Sequence, residues 1–269
     1  MRASPIPRAG CAAGGDCNPG YAGVGRSLLA MKRLSLAIMV VVAALIIAAC
    51  SDSEPATTTT TVLNVPLEIV PSTYEQFRAQ PTACDAETPE PLTPMQFDAP
   101  DNMGIDPSTP VRVTMSTSCG DIEIELEPAI APETVNSFVF LATEGYFDGT
   151  VFHRVIPGFV AQGGDPTATG TGGPGYTIPD EFPPPGVGYD RGVLAMANAG
   201  PGTTGSQFFI VVEDTELPPQ FAIFGRVVDG FDVLERLQEV PLGISPVSPD
   251  PVASTPLETI YFNGITIDE

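Results

Sequence analysis

A chain of 269 residues with 43% hydrophobic side chains is long enough for one or two domains and carries ample apolar material for a core. Its 33 acidic against 11 basic residues give a formal charge of −22, which repels phosphate backbones and anionic lipid headgroups. Nucleic-acid partners and charge-driven membrane binding are thereby excluded.

Residues 1–30 are rich in Gly, Ala and Pro, show no periodicity and precede a second possible start at Met31. They are expected to be a non-native or disordered extension. Residues 31–50, MKRLSLAIMVVVAALIIAAC, join a basic start (Lys32, Arg33) to an apolar run and small residues, the anatomy of a secretory signal peptide over 31–49. The ending Ile47, Ala48, Ala49, Cys50 resembles a bacterial lipobox, which implies cleavage before Cys50 and lipid attachment to its sulfur. That places the protein outside the cell, anchored to the outer face of the membrane. A retained membrane helix is the rival reading, because the run approaches spanning length. The Cys and the polar Ser51, Asp52 and Ser53 favour the signal. Loss of 1–49 removes Arg2, Arg8, Arg26, Lys32, Arg33 and one acid, Asp16, and leaves no lysine. The anchor is then the lipid alone, and stable holding takes more than one acyl chain.

Cys11 and Cys17 lie upstream of the signal, so an exported chain keeps Cys84 and Cys119, an even pair expected to form a disulfide. Free buried thiols are the alternative. Two Cys and a single His match no zinc spacing, so no metal and no cofactor are expected. Residues 50–64 contain five consecutive threonines and read as a linker. Residues 65–109 are Pro-dense, with one short helical turn expected over 73–79, and read as an irregular segment draped on the domain and pinned by Cys84.

The domain itself is expected over 110–269. Residues 111–117 and 121–126 alternate apolar and polar side chains around Ser118, Cys119 and Gly120, predicting a hairpin. Ala131, Pro132 and Glu133 open a helix that Gly145 stops, with Val135, Phe138, Val139 and Ala142 as its apolar stripe. Strands are predicted over 152–155, 159–162, 193–197, 207–211 and 222–227, a second helix over 231–238, and closing strand material over 257–267. The Gly-rich run at 170–173 lacks the GK[ST] ending of a phosphate loop and reads as irregular surface. Strands interrupted by two helices argue for a mainly β fold rather than a parallel sheet. The expected architecture is a closed antiparallel eight-stranded barrel capped by two helices.

Three stretches carry the chemistry: FHRVIPGFVAQGGD at 152–165, RGVLAMANAGPGTTGSQFFIVV at 191–212 and QFAIFGRVVDGFD at 220–232. Taken alone, Arg154 reads equally as a surface charge, an ion-pair partner or a cation held against an apolar wall. Together the stretches resemble the cyclophilin family of peptidyl-prolyl isomerases, in order and with near-family spacing from about Val111 to Ile267. The resemblance implies a cyclophilin-like barrel and catalysis of X–Pro rotation in proline-containing polypeptides by a monomer. It assigns Arg154, Phe159 and Gln162 to catalysis, and Val160, Ala197, Asn198, Gln207, Phe209, Leu217 and Phe221 to substrate binding. Three departures stand out. Val160 replaces a usual Met, Phe221 replaces a common His, and the loop 213–219 is one residue short and lacks a Trp. The last puts tight cyclosporin binding in doubt. His153, the chain's one histidine, should point away from Arg154 along the strand and play a structural part. A proline-binding chaperone or scaffold with little turnover is the competing reading, and a purely structural lipoprotein a third.

Overall fold

The computed structural model describes residues 70–268; the extension 1–30, the signal 31–49, Cys50 and the linker 50–64 lie outside the described residues. The hairpin forms as its alternation dictates. Strand β1 (Val111–Thr117) pairs antiparallel with β2 (Gly120–Leu126) in one unbroken register that ends at Thr117 opposite Gly120. Val113, Met115, Ile122, Ile124 and Leu126 face inward and are fully buried, while the alternate Asp121 and Glu123 stay in solvent.

Ahead of the hairpin, α1 (Tyr74–Arg78) is the short helical turn. It is followed by a single 3-10 turn (Ala83–Asp85) that carries Cys84. Cys84 is bonded to Cys119 in the hairpin turn, 35 residues away. Closing a loop of that size stabilises the fold by roughly 4 kcal/mol on the chain-entropy argument. The segment is also held by two main-chain hydrogen bonds just ahead of Cys84, Thr259 N–H to the Pro81 carbonyl (2.7 Å) and Ala83 N–H to the Thr259 carbonyl (3.0 Å).

Helix α2 (Pro132–Thr143) begins on proline and ends before Gly145, whose φ of +71° a side chain rarely adopts. The predicted stripe is buried, but so are Phe140 and Leu141. Residues 95–105 explain the wider burial. Phe97 meets Phe140 edge-on at 5.0 Å, and Asn136 bonds the main chain of Asp101 and Met103. Glu181, from a distant loop, accepts hydrogen bonds from the Glu133 and Thr134 N–H groups and so supplies the anion at the positive helix end.

The remaining elements are β3 (Arg154–Ile156), β4 (Val160–Gly163), β5 (Val193–Met196), β6 (Phe208–Val211), β7 (Ile223–Asp229), helix α3 (Phe231–Glu239), a two-residue ribbon of β8 (Leu242–Gly243) and β9 (Thr255–Pro256), and β10 (Phe262–Ile267). Eight strands form one antiparallel sheet in the order β10-β1-β2-β7-β5-β6-β4-β3, with α2 against β10 and α3 against β2 and β3. The closed barrel expected from sequence is not realised. The sheet curls into a half-barrel whose edges, β3 and β10, share no ladder. The contact between the two ends comes instead from the chain before β3. Gly149 and Phe152 N–H groups donate to the Phe262 and Ile260 carbonyls around a single bridge of Val151 to Tyr261. At β3 itself the edge is already used, because Val155 N–H donates to the Ser254 carbonyl at 2.7 Å, at the start of the ribbon's second strand. The ribbon was not expected, since two-residue strands leave no readable period. Among the described residues no helix is long and apolar enough to cross a membrane.

Candidate active site

Period-two alternation gives the sheet two apolar faces. Along β6, Phe208 and Ile210 enter the main core, whereas Phe209 and Val211 join a second cluster with Val160, Tyr189, Ala195 and Ile223. Phe159, Ala197, Leu217 and Phe221 pack on that second cluster and leave it half-covered. The result is a cleft of about 240 Å³ lined by Arg154, Phe159, Val160, Gln162, Ala197, Asn198, Phe209, Leu217 and Phe221. Nine of the ten residues named from sequence therefore share one cleft. The tenth, Gln207, lines an adjoining cavity that shares Gln162, Ala197 and Asn198 with the cleft, and accepts a hydrogen bond from Gln162 Nε2 at 3.0 Å.

Arg154 and Gln162 face each other across the β3–β4 pair, a register set by the turn at Pro157 and Gly158. Arg154 Nη1 donates to Gln162 Oε1 at 3.1 Å. Gln207 in turn donates to the Gly172 carbonyl at 2.9 Å, so the polar row runs on into the Gly-rich loop. That loop is shaped by the fully buried Asp165, which accepts from Thr167 and Gly172 N–H groups. Gly163 has to be glycine, because a Cβ there would lie 2.6 Å from the Phe262 ring on the core side.

Sequence reasoning missed two residues here. Asp250 grips Arg154 through two bonds, Nε to Oδ2 at 2.7 Å and Nη2 to Oδ1 at 2.9 Å, with its side chain only 10% exposed. The Arg154 hydrogen bonds hold the Asp250 carboxyl below the usual carboxylate range, against the opposing effect of burial. Arg154 is thus both an ion-pair partner and the one cation among the cleft's lining residues. Tyr189 is the other. Its buried ring meets Phe209 and Phe221, and its hydroxyl donates to the Phe221 carbonyl at 2.9 Å, fixing the loop that forms the cleft's far wall. Asn198 ties down the same loop through the Gln220 carbonyl at 2.8 Å. Neither residue lies in a periodic stretch, so neither carried a sequence signal.

His153 takes no part in the cleft. It is 8% exposed, and neither ring nitrogen has a hydrogen-bond partner in the protein. It lines a separate cavity of about 370 Å³, shared with Arg154 and the segment around Ser248. Burial pulls its pKa from 6.5 down to about 4; Asp165 opposes the shift and Arg154 adds to it. The unfolded chain therefore binds a proton below pH 6.5 that the native protein refuses. Stability is full above that pH and falls as the pH drops towards 4, by at most about 3 kcal/mol. Melts between pH 7 and 4 should show this slope, and His153→Phe should flatten it, leaving the part near pH 4 that the Asp250 carboxyl contributes. An unchanged slope in that variant would contradict the assignment.

Comparison with known proteins agrees with this geometry. Residues 112–257 match the family model for cyclophilin type peptidyl-prolyl cis-trans isomerase/CLD. Peptidyl-prolyl cis-trans isomerase B of Streptomyces anulatus is 44% identical over 172 residues, 58% of this chain and 95% of the relative. Peptidyl-prolyl cis-trans isomerase A of Mycobacterium tuberculosis is 44% identical over 184 residues, 62% of this chain and 97% of the relative. A Cryptosporidium parvum cyclophilin type isomerase of known crystal structure superposes with a TM-score of 0.53 at 35% identity, covering 60% of this chain and 99% of its own. With an arginine beside an apolar cleft on a curled eight-stranded sheet, and a family match over more than half its length, this chain belongs to the cyclophilin-type peptidyl-prolyl cis-trans isomerases, an isomerase class of enzyme.

Proposed function

We propose that the protein isomerises X–Pro bonds in exported polypeptides at the Arg154 cleft, while held to the outer face of the cell membrane by lipid on Cys50. Rotation about the X–Pro bond crosses a barrier of about 18–20 kcal/mol because twisting destroys amide resonance. No bond is broken. The site has only to hold the proline ring and favour the twisted amide over both planar forms. Phe159, Phe209, Leu217 and Phe221 grip the ring, and Val160 and Ala197 complete the wall. Gln162 and the Asn198 main chain hold the substrate backbone. Arg154 donates to the proline carbonyl and to the nitrogen as it pyramidalises. The observation that carries this reading is one cation among nine lining residues, the other eight uncharged. A second Cryptosporidium cyclophilin structure, determined in the presence of the dipeptide Ala-Pro, supports a proline-containing substrate.

Magnetisation-exchange NMR on an Ala-Pro-containing peptide tests the chemistry: exchange should accelerate at catalytic amounts of protein, and binding without acceleration would replace the enzyme by a proline-binding scaffold. The anchoring half rests on the signal-like run ending in Cys50. Cys50→Ala should leave the detergent phase or persist as an unprocessed precursor, and normal processing with acylation would overturn it.

A further inference from the structure

The stretch after the sheet's last helix, residues 244–254, does something that the cleft's own motifs do not. It reads ISPVSPDPVAS, with prolines at 246, 249 and 251, and runs between the strands of the β8–β9 ribbon. The ribbon ties its ends, Leu242 opposite Pro256 and Gly243 opposite Thr255. Within it, Ser248 Oγ accepts from the Asp250 N–H at 3.1 Å and donates to Asp250 Oδ2 at 3.2 Å. Proline on either side and the Ser248 bonds leave the carboxylate little freedom. It is delivered, already oriented, to the side of Arg154 away from Gln162.

A guanidinium has five N–H donors in one plane. Asp250 takes the Nε donor and one on Nη2, and Gln162 takes one on Nη1. One donor on each Nη remains. The arginine side chain, otherwise a long chain with many rotamers and 27% exposure, is thus fixed in plane and in direction from two sides. A donor that must meet a carbonyl only when the amide twists is useful in proportion to how little it has to reorganise at that moment.

We propose that Asp250 is a positioning residue for the isomerisation: its two-point grip sets the plane of the Arg154 fork and leaves one donor on each terminal nitrogen for the substrate. Asp250 touches no substrate and acts through Arg154, so the inference rests on the reading of Arg154 given above. The opposing electrostatic effect, a carboxylate partly neutralising the arginine, is outweighed. The arginine's work is to donate hydrogen bonds at fixed angles, which the pair preserves and a free side chain does not.

The test is a double-mutant cycle on the full chain, with kcat and KM measured separately by NMR exchange. Asp250→Ala should lower kcat on the order of tenfold, less than the hundredfold of a wholly misplaced group. KM should stay within about twofold, because the aromatic walls are untouched. Asp250→Asn, which keeps the shape and one acceptor, should fall in between and covers the case in which the alanine variant folds poorly. In an Arg154→Ala background, Asp250→Ala should change the rate by less than about twofold, since the group it positions is gone. A kcat at or above the parent value in both Asp250 variants, with Arg154→Ala slow, would overturn the role of Asp250 alone. A parent rate in Arg154→Ala would remove the role of Arg154 itself. Additive losses across the cycle would also overturn the proposal.

Discussion

Arg154→Ala should lower kcat/KM by a factor on the order of 10² to 10³, the usual loss for one preorganised transition-state donor. The structure sharpens the reason for so large an effect. Among the cleft's lining residues Arg154 is the only cation, and its plane is fixed by Gln162 on one side and Asp250 on the other. Removing it leaves Asp250 bonded to Ser248 but without its cation, and Gln162 short of a donor, so no neighbouring group can substitute. Binding of a ground-state proline peptide should change far less, because Phe159, Phe209 and Leu217 still hold the ring. Arg154→Lys should recover little activity, as an ammonium cannot serve Asp250, Gln162 and a substrate carbonyl in one plane. Circular dichroism and the melting temperature serve as the fold control. A well-folded Arg154→Ala protein that isomerises at the parent rate would show that the catalytic centre lies elsewhere.

Phe138→Ala should cost about 3–5 kcal/mol of stability, the range for removing a large aromatic from a packed core. Phe138 is 2% exposed on α2 and is the ring that joins the helix to the sheet. Its centroid lies 5.1 Å from Phe224 on β7, 5.2 Å from Phe147 and 5.6 Å from Phe208 on β6. These neighbours belong to separate elements and also pack on one another, as Phe208 does on Phe147 and Phe262, so they cannot easily collapse into the space. The melting temperature should fall by roughly 10 °C, given about 2–4 °C per kcal/mol for a domain of this size. The catalytic constants of the folded fraction should change much less, since Phe138 lies on the opposite face from the cleft. A melting temperature within a degree or two of the parent would mean that the core repacks around the loss.

The split of neighbouring residues between core and cleft was legible because it is local. In a strand, successive side chains point to opposite faces, so FFIV at 208–211 already separates Phe208 from Phe209. The same reasoning, with one tight turn at Pro157 and Gly158, places Arg154 opposite Gln162. Cys84 and Cys119 could be paired by counting, once Cys11 and Cys17 are assigned upstream of the expected signal and Cys50 to the expected lipid site. The motif spacing then placed the remaining wall residues, because a family resemblance encodes long-range geometry that periodicity does not.

What the sequence could not supply are the contacts that depend on the path of the chain between distant elements. Glu181 at the start of α2, Phe97 over Phe140 and Tyr189 beneath the cleft all reach across the fold from segments with no period of their own. Whether the sheet closes was likewise undecided by its strands, since alternation sets which face is buried but not what lies along an edge. The tertiary structure decides it, because Val155 gives its N–H to Ser254 and the ribbon takes the place beside β3. By itself the sequence determined the local faces, the disulfide pair and the arginine. Only the folded chain brings Asp250, 96 residues further on, to that arginine, for a carboxylate's partner is chosen by distance in space and not along the chain.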